Sequence, residues 1–317
     1  MGDNKASSGL GLAMRDAIRH RAWYITDDYT NVAETVRISR VHLGIINREN
    51  QPFSAHNGKI KIFLHGEIYN DEVAHSNPLD LICSLYEKEG LNLASFLNGS
   101  FVIVVIDEDR DLVLIANDRI AAKPLFYYRD NQVVYFAPEI KSLLLVPSLE
   151  RKLNLAAVAD FLANGYFTHE HTLIEDVRSL DNATVLKITK GGISCHKYWE
   201  YDLEKEGEDR GAKYYQPILA EMLHKAVGRR LRTDNTYGIL LSGGYDSRGI
   251  LGCYLEARGN GGLHTISWGR EEDIPGSDCA IAKKLAQKLR ADHKFYKLTA
   301  EDLGDFRDFA WLGEGLT

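Results

Sequence analysis

The sequence predicts two domains of different class: an α+β domain over residues 1–147 and an α/β domain with a parallel sheet over 211–317, joined by a connecting segment over 148–210. Three observations lead there. Between Phe101 and Phe136 short apolar strands recur around turn residues, as in antiparallel hairpins. Beyond Tyr214 strand and helix patterns alternate, which builds a parallel sheet with right-handed crossovers. At Ile239 to Arg248 an apolar strand runs into a glycine turn and then a helix.

Length and composition fit this division. The chain has 317 residues, 44% hydrophobic and 26% charged, ordinary for globular domains. The net charge is −7 with no long run of like charge, so a basic nucleic-acid face is not expected. No apolar stretch reaches the ~20 residues that span a bilayer, and residues 1–10 lack a signal-peptide core, so a cytoplasmic protein is expected. Cys83, Cys195, Cys253 and Cys279 are scattered, which argues for free thiols over a zinc site or a disulfide set.

In chain order, Met14 to Arg21 is expected as an amphipathic helix segment and Val41 to Ile46 as a short strand. Lys59 to Leu64 alternates Ile60, Ile62 and Leu64 against Lys59, Lys61 and Phe63, the pattern of a half-buried strand. Leu79 to Glu89 carries Leu81, Ile82, Leu85 and Tyr86 on one helical face, with Gly90 as the stop. Phe101–Ile106 and Leu112–Ala116 form one hairpin across 107–110; Leu125–Tyr128 and Val133–Phe136 form another across Asp130 and Asn131. Asn154 to Ala163 is a helix, and Ala183–Ile188 with Ile193–Tyr198 flank a turn at 190–192. Tyr198 and Trp199 are expected to pack at a domain junction, and 202–210 to be a solvated linker. Tyr214 to Arg232 is a long helix with Ile218, Leu219, Met222 and Leu223 on its inner face. His264–Trp268 and His293–Leu298 are further strands, and Ser277 caps a helix over Asp278–Arg290.

The chemistry concentrates at Ser242-Gly243-Gly244-Tyr245-Asp246-Ser247. A turn feeding a helix N-terminus presents unpaired N–H groups, which suits an anion. The two glycines allow close backbone approach and positive φ, and Ser242 and Ser247 add hydroxyl donors. Asp246 repels a bare phosphate, so its role is to hold Mg²⁺ between carboxylate and phosphate oxygens. The hexapeptide resembles the Ser-Gly-Gly-x-Asp-Ser PP-loop of the ATP pyrophosphatases. The first half carries a second resemblance. His65-Gly66-Glu67-Ile68-Tyr69-Asn70, the stretch Asn117-Asp118-Arg119 through Lys123-Pro124-Leu125, and Ala137-Pro138-Glu139-Ile140-Lys141 are similar to motifs of class II glutamine amidotransferases. In this order the two sets resemble the asparagine synthetase family. That resemblance implies an Ntn-hydrolase-like sandwich followed by an adenine nucleotide α-hydrolase-like domain, incomplete at the C-terminus.

The resemblance implies ATP and Mg²⁺ as cofactors, held by Leu241, Ser242, Gly243, Gly244, Asp246, Ser247 and Trp268, with Asp246 as the metal ligand. Trp268 either stacks on adenine or fills the wall. It also implies a glutamine pocket at His42, His65, Gly66 and Glu67. The pattern departs there from the family's. Gly2 stands where the family places its cysteine nucleophile, His42 where it places an arginine, and His65 where it places an oxyanion-hole asparagine. The acidic residue for the glutamine amine aligns near Pro78 or Asp80. A degenerate pocket without glutaminase chemistry is expected; a metal cluster at His42, His65 and His75 is not. The implied function is an ATP-dependent amide ligase that makes an acyl-adenylate from a small carboxylate for attack by ammonia or an amine. A β-lactam synthetase or lasso-peptide cyclase type, an inactive nucleotide-binding fragment, and a subunit completed by another chain or by self-association remain as alternatives. Gly313-Glu314-Gly315 lies too near the third strand to be the family's second phosphate-side motif, and truncation at both ends is expected.

Overall fold

The computed structural model describes residues 4–74, 76–130, 133–168, 170–203, 207–231, 236–304 and 306–313. In chain order its elements are α1 (Asn4–Ala17), β1 (Ile25–Thr30), β2 (Arg37–His42), β3 (Phe53–Ala55), β4 (Ile60–Ile68), α2 (Pro78–Glu89), β5 (Gly99–Asp107), β6 (Leu112–Asn117), β7 (Phe126–Arg129), β8 (Val134–Ala137), α3 (Ile140–Leu143) and α4 (Leu155–Asn164). There follow β9 (Arg178–Ser179), β10 (Thr184–Thr189), β11 (Gly192–Lys197), α5 (Ala212–Arg230), β12 (Gly238–Leu240), α6 (Tyr245–Arg258), β13 (His264–Gly269), α7 (Asp278–Leu289), β14 (Asp292–Lys297) and α8 (Phe306–Gly313). The chain divides into two compact units, 1–202 with 311–317, and 203–310. No helix among the described residues is long and apolar enough to cross a membrane.

The first unit is built on a six-stranded antiparallel sheet in the order β11-β10-β6-β5-β4-β3. One face packs Ile62, Leu64, Ile103 and Val105 against Leu79, Ile82 and Tyr86 of α2. Asn77 starts that helix by accepting from Leu79 N, with Pro78 in its first turn, where a missing N–H costs nothing. The other face packs Phe63, Val102, Val104 and Ile115 against Ile38 of β2 and Tyr127 of β7. Burial on both faces explains Phe63, which the alternation assigns to the solvent side and which is buried.

Four expectations need correction. Residues 148–210 are only partly a connection, because β10 and β11 extend the large sheet and β9 pairs with β7. Tyr198 packs onto the first core and donates to Asn117 O at 2.7 Å, so it belongs to that core. The strand expected at Val41–Ile46 lies earlier, as β2; the chain turns at Gly44 (φ 68°), leaving Leu43 and Ile45 exposed. The first helix ends at Ala17 instead of running to Arg21. Of the hairpin expected across Asp130 and Asn131, Asn131 lies outside the described residues, as does Arg232 at the end of the long helix.

In the second unit β12, β13 and β14 are parallel in that order, with Leu240 opposite Ile266 and Trp268 opposite Tyr296. Ile239, Leu241, Leu251, Tyr254, Leu263 and Ala282 form its core. Ser277 accepts from Ala280 N and so caps α7, as the sequence predicts. The inner face assigned to the long helix is not buried. Ile218, Leu219, Met222 and Leu223 of α5 are all exposed, although Leu223 approaches Gly249 of α6.

Candidate functional site

The turn Ser242–Ser247 lies at the C-terminal end of β12, where a parallel sheet places its ligands. Leu241 continues the ladder by donating to Ile266 O at 2.8 Å, and its carbonyl accepts from Ser267 Oγ at 2.7 Å. The two serine hydroxyls sit 2.9 Å apart. Ser247 Oγ accepts from Ser242 N and lies within 3.4 Å of the carbonyls of Ser242 and Gly244; Ser242 Oγ accepts from Gly244 N. Both hydroxyl protons therefore have acceptors inside the turn. The serines brace the loop, where the sequence suggests donors for a ligand.

What remains for an anion is backbone. Gly244 is the N-cap of the 14-residue α6 and offers no side-chain acceptor, so the first-turn N–H groups of that helix have no side-chain cap. Asp246 is exposed on this first turn. Arg248 lies beside it, its guanidinium 4.6 Å from the Tyr245 ring and its Nε donating to Gly244 O at 3.2 Å. Trp268 is 51% exposed at the C-terminal end of β13, and its carbonyl accepts from Cys279 Sγ.

The glycines act differently from expectation. Gly244 has φ −66°, and Gly243 also lies outside the left-handed region. Gly243 is required by packing: a Cβ there would lie 2.6 Å from Asp278 Oδ1 and 2.9 Å from both Asp278 Cα and Ile281 Cδ1. Gly243→Ala is expected to push the start of α7 away, destabilising the second unit by roughly 1–3 kcal/mol. A chemical melt followed by a second-unit tryptophan checks this, and an unchanged midpoint would contradict it.

In the first unit the four residues assigned to a glutamine pocket separate in character. His42 is turned inward. Its Nδ1 accepts from Gly44 N at 3.2 Å, and its Nε2 lies 3.2 Å from Arg40 Nη2 and 3.7 Å from Asp27 Oδ2. Arg40 and Asp27 form a buried ion pair, with Nε to Oδ2 at 2.8 Å. Burial, then Arg40, lowers the His42 pKa, against a smaller opposite pull from Asp27. Both ring nitrogens thus have partners within the protein. Gly66 has φ +112° and presses against β5. Glu67 Oε2 accepts from Tyr69 OH.

His65 is exposed at one edge yet closely surrounded by protein. Lost hydration first, then Lys123, Arg40 and His42, lower its pKa to about 4. An unfolded histidine titrates near 6.5. Between about 4 and ~6.5 the unfolded chain therefore binds more protons, and stability falls as pH falls through that window. Urea titrations at pH 7 and pH 5 should show a loss that His65→Gln reduces. Equal losses in both proteins would exclude this origin.

Cys83 offers no replacement nucleophile. It is buried, and burial followed by Glu87 and Asp80 pushes its thiol up to about 11. All four cysteines are free. Among the described residues no three His, Cys, Asp or Glu side chains group as a metal site; His75 lies outside those residues.

A profile of the glutamine amidotransferase domain matches residues 2–199, and one of asparagine synthase matches 219–317. The chain belongs to the asparagine synthetase family. A glutamine-hydrolyzing asparagine synthetase of Bacillus subtilis strain 168 is 27% identical over 333 residues, covering 95% of this chain and 43% of the relative. The amidase chyE of Penicillium rubens is 26% identical over 310 residues, covering 88% of this chain and 46% of that one. The chain thus spans about half the length of the curated relatives it matches. Among solved structures, a glutamine phosphoribosylpyrophosphate amidotransferase from B. subtilis compares with a TM-score of 0.44 at 11% identity, covering 90% of this chain and 62% of that one. Two neighbours of the turn lie outside the motif: Arg248, a cation at its edge, and Asp278, a carboxylate against Gly243. Asp278 is legible in sequence only as a first-turn acid of a capped helix.

Proposed function

We propose that this chain carries the ATP-binding machinery of an asparagine synthetase-like amide ligase and has no glutaminase chemistry of its own. In this reading a carboxylate oxygen attacks the α-phosphorus of ATP, pyrophosphate leaves, and ammonia or an amine displaces AMP from the acyl-adenylate. The braced turn at the end of β12, with the uncapped start of α6 behind it, is the observation that carries the proposal. Such a PP-loop fits a triphosphate because its donors are backbone N–H groups fixed before the ligand arrives. Asp246, exposed beside them, would hold Mg²⁺, which when bound neutralises phosphate charge. Trp268 would border the adenine. The first unit then serves as a folded partner domain, since its His42 is committed to the Arg40–Asp27 pair.

Isothermal titration of Mg²⁺–ATP into the folded chain is the test. One saturable site is expected, and a folded sample giving no heat would sink the reading. Glutamine incubated with the chain should release no glutamate above a heat-killed control.

A second reading is a subunit completed by another chain or by a second copy. It is favoured by the open apolar face of the second unit, where Leu240 is 60% and Tyr296 56% exposed. Sedimentation at rising concentration separates the two occupants.

A further inference from the structure

We propose that Arg248 grips the two terminal phosphates of ATP, and so makes this site prefer a triphosphate or pyrophosphate over a monophosphate; the inference rests on the ATP-binding reading above. Arg248 follows the Ser242–Ser247 motif and is no part of it. It is the fourth residue of α6, and a positive charge in the first turn of a helix opposes the macrodipole. An anion in front of the helix would offset that cost. The protein supplies none: among the described residues no ion pair joins Arg248 to Asp246 or to any other carboxylate.

The side chain is nevertheless held in place. Its Nε donates to Gly244 O at 3.2 Å, and its guanidinium lies 4.6 Å from the Tyr245 ring. One donor and one face are thereby spent, while Nη1 and Nη2 have no acceptor among the described residues. Those two nitrogens are the prongs of a fork that matches two phosphate oxygens. The tether ends on Gly244, the N-cap, so the fork is fixed beside the uncapped N–H groups of α6. There is room in front of that residue: a Cβ on Gly244 would meet only Ser242 Oγ, at 3.2 Å. Sheet order gives the direction of the phosphate chain. With the adenine at Trp268, at the end of β13, the phosphates run toward the turn after the neighbouring β12, and the last of them reach α6. These are the groups that leave as pyrophosphate in the proposed reaction. Tyr245, 87% exposed, is then a positioning residue that orients the guanidinium.

The test is calorimetry on the whole chain with Mg²⁺–ATP, Mg²⁺–pyrophosphate and AMP, comparing the parent with folded Arg248→Gln and Arg248→Lys proteins. Arg248→Gln is expected to weaken ATP and pyrophosphate roughly 10–100-fold, the loss of one charge-assisted, two-pronged contact, and to move AMP less than about twofold. Arg248→Lys should recover less than half of that loss, because an ammonium cannot keep the bond to Gly244 and present a planar fork. Tyr245→Leu should weaken pyrophosphate severalfold in the parent and leave it unchanged in the Arg248→Gln background, since it acts through the guanidinium. Equal losses for all three ligands in Arg248→Gln would show a damaged turn and overturn the proposal. Unchanged pyrophosphate affinity, or full recovery with lysine, would overturn it equally. The two levels fail separately: a parent that binds none of the three ligands sinks the ATP-binding reading and this inference with it, whereas a parent that binds ATP beside an indifferent Arg248→Gln sinks this inference alone.

Discussion

Replacing Asp246 by alanine is expected to weaken Mg²⁺–ATP binding at least ~100-fold while leaving the fold intact. A hundredfold corresponds to about 2.7 kcal/mol, the scale of one lost metal-mediated contact to a triphosphate. The structural cost is smaller. Asp246 is exposed, and no described side chain partners it. Its remaining effect is a first-turn acid's interaction with the α6 dipole, roughly 0.3–1 kcal/mol. The sign of the effect should invert when Mg²⁺ is removed. A carboxylate at the mouth of the turn repels bare phosphate, so with EDTA present Asp246→Ala should bind ATP more tightly than the parent. Calorimetry on both proteins with and without metal reads this crossing. Parallel losses under both conditions would show Asp246 acting through structure, and equal affinities would remove it from the site.

The strands around this turn were legible because their signals are local. An apolar run, two glycines and a capped helix specify β12, the turn, and the Ser277 cap of α7 without reference to distant residues. Where the sequence misleads, a distant partner decides. The apolar stripe on α5 shows that the helix has such a face but not what the face meets, and in this chain Ile218, Leu219 and Met222 remain open. Alternation puts Phe63 on the solvent side because it assumes one wet face, whereas β1–β2 and β7 cover the second. Residues 178–197 read as part of the 148–210 connection because two hairpin strands carry no mark of the sheet they join.

The site followed the same division. The sequence places both serines in the turn, but only coordinates reveal that their hydroxyl protons are spent on each other and on the loop backbone. The inward turn of His42 was not legible either. It depends on Asp27 and Arg40, which pair across β1 and β2, and β1 gave no sequence signal at all.

Gly66→Ala is expected to be the most disruptive single methyl in the first unit. Gly66 has φ +112°, and a Cβ built on it would lie 2.0 Å from Ser100 O and 2.9 Å from Phe101 Cα. Both are backbone atoms of β5, and Gly66 sits directly opposite Phe101 in the ladder. No side-chain rotation relieves such a clash; β4 and β5 must part. Backbone strain of ~1–3 kcal/mol and overpacking of similar size or more give roughly 4 kcal/mol. Against total stabilities of ~5–15 kcal/mol this is a large fraction, and for a unit of this size it lowers Tm by roughly 8–16 °C. A melting curve within a few degrees of the parent would show that the strands yield more easily than their geometry implies. The expected result bears on function too. A glycine demanded by strand packing is kept whether or not glutamine is bound, so Gly66 is weak testimony for glutaminase chemistry. The informative position is its neighbour His65, where nothing in the packing requires an imidazole and where an asparagine donor would serve the reaction.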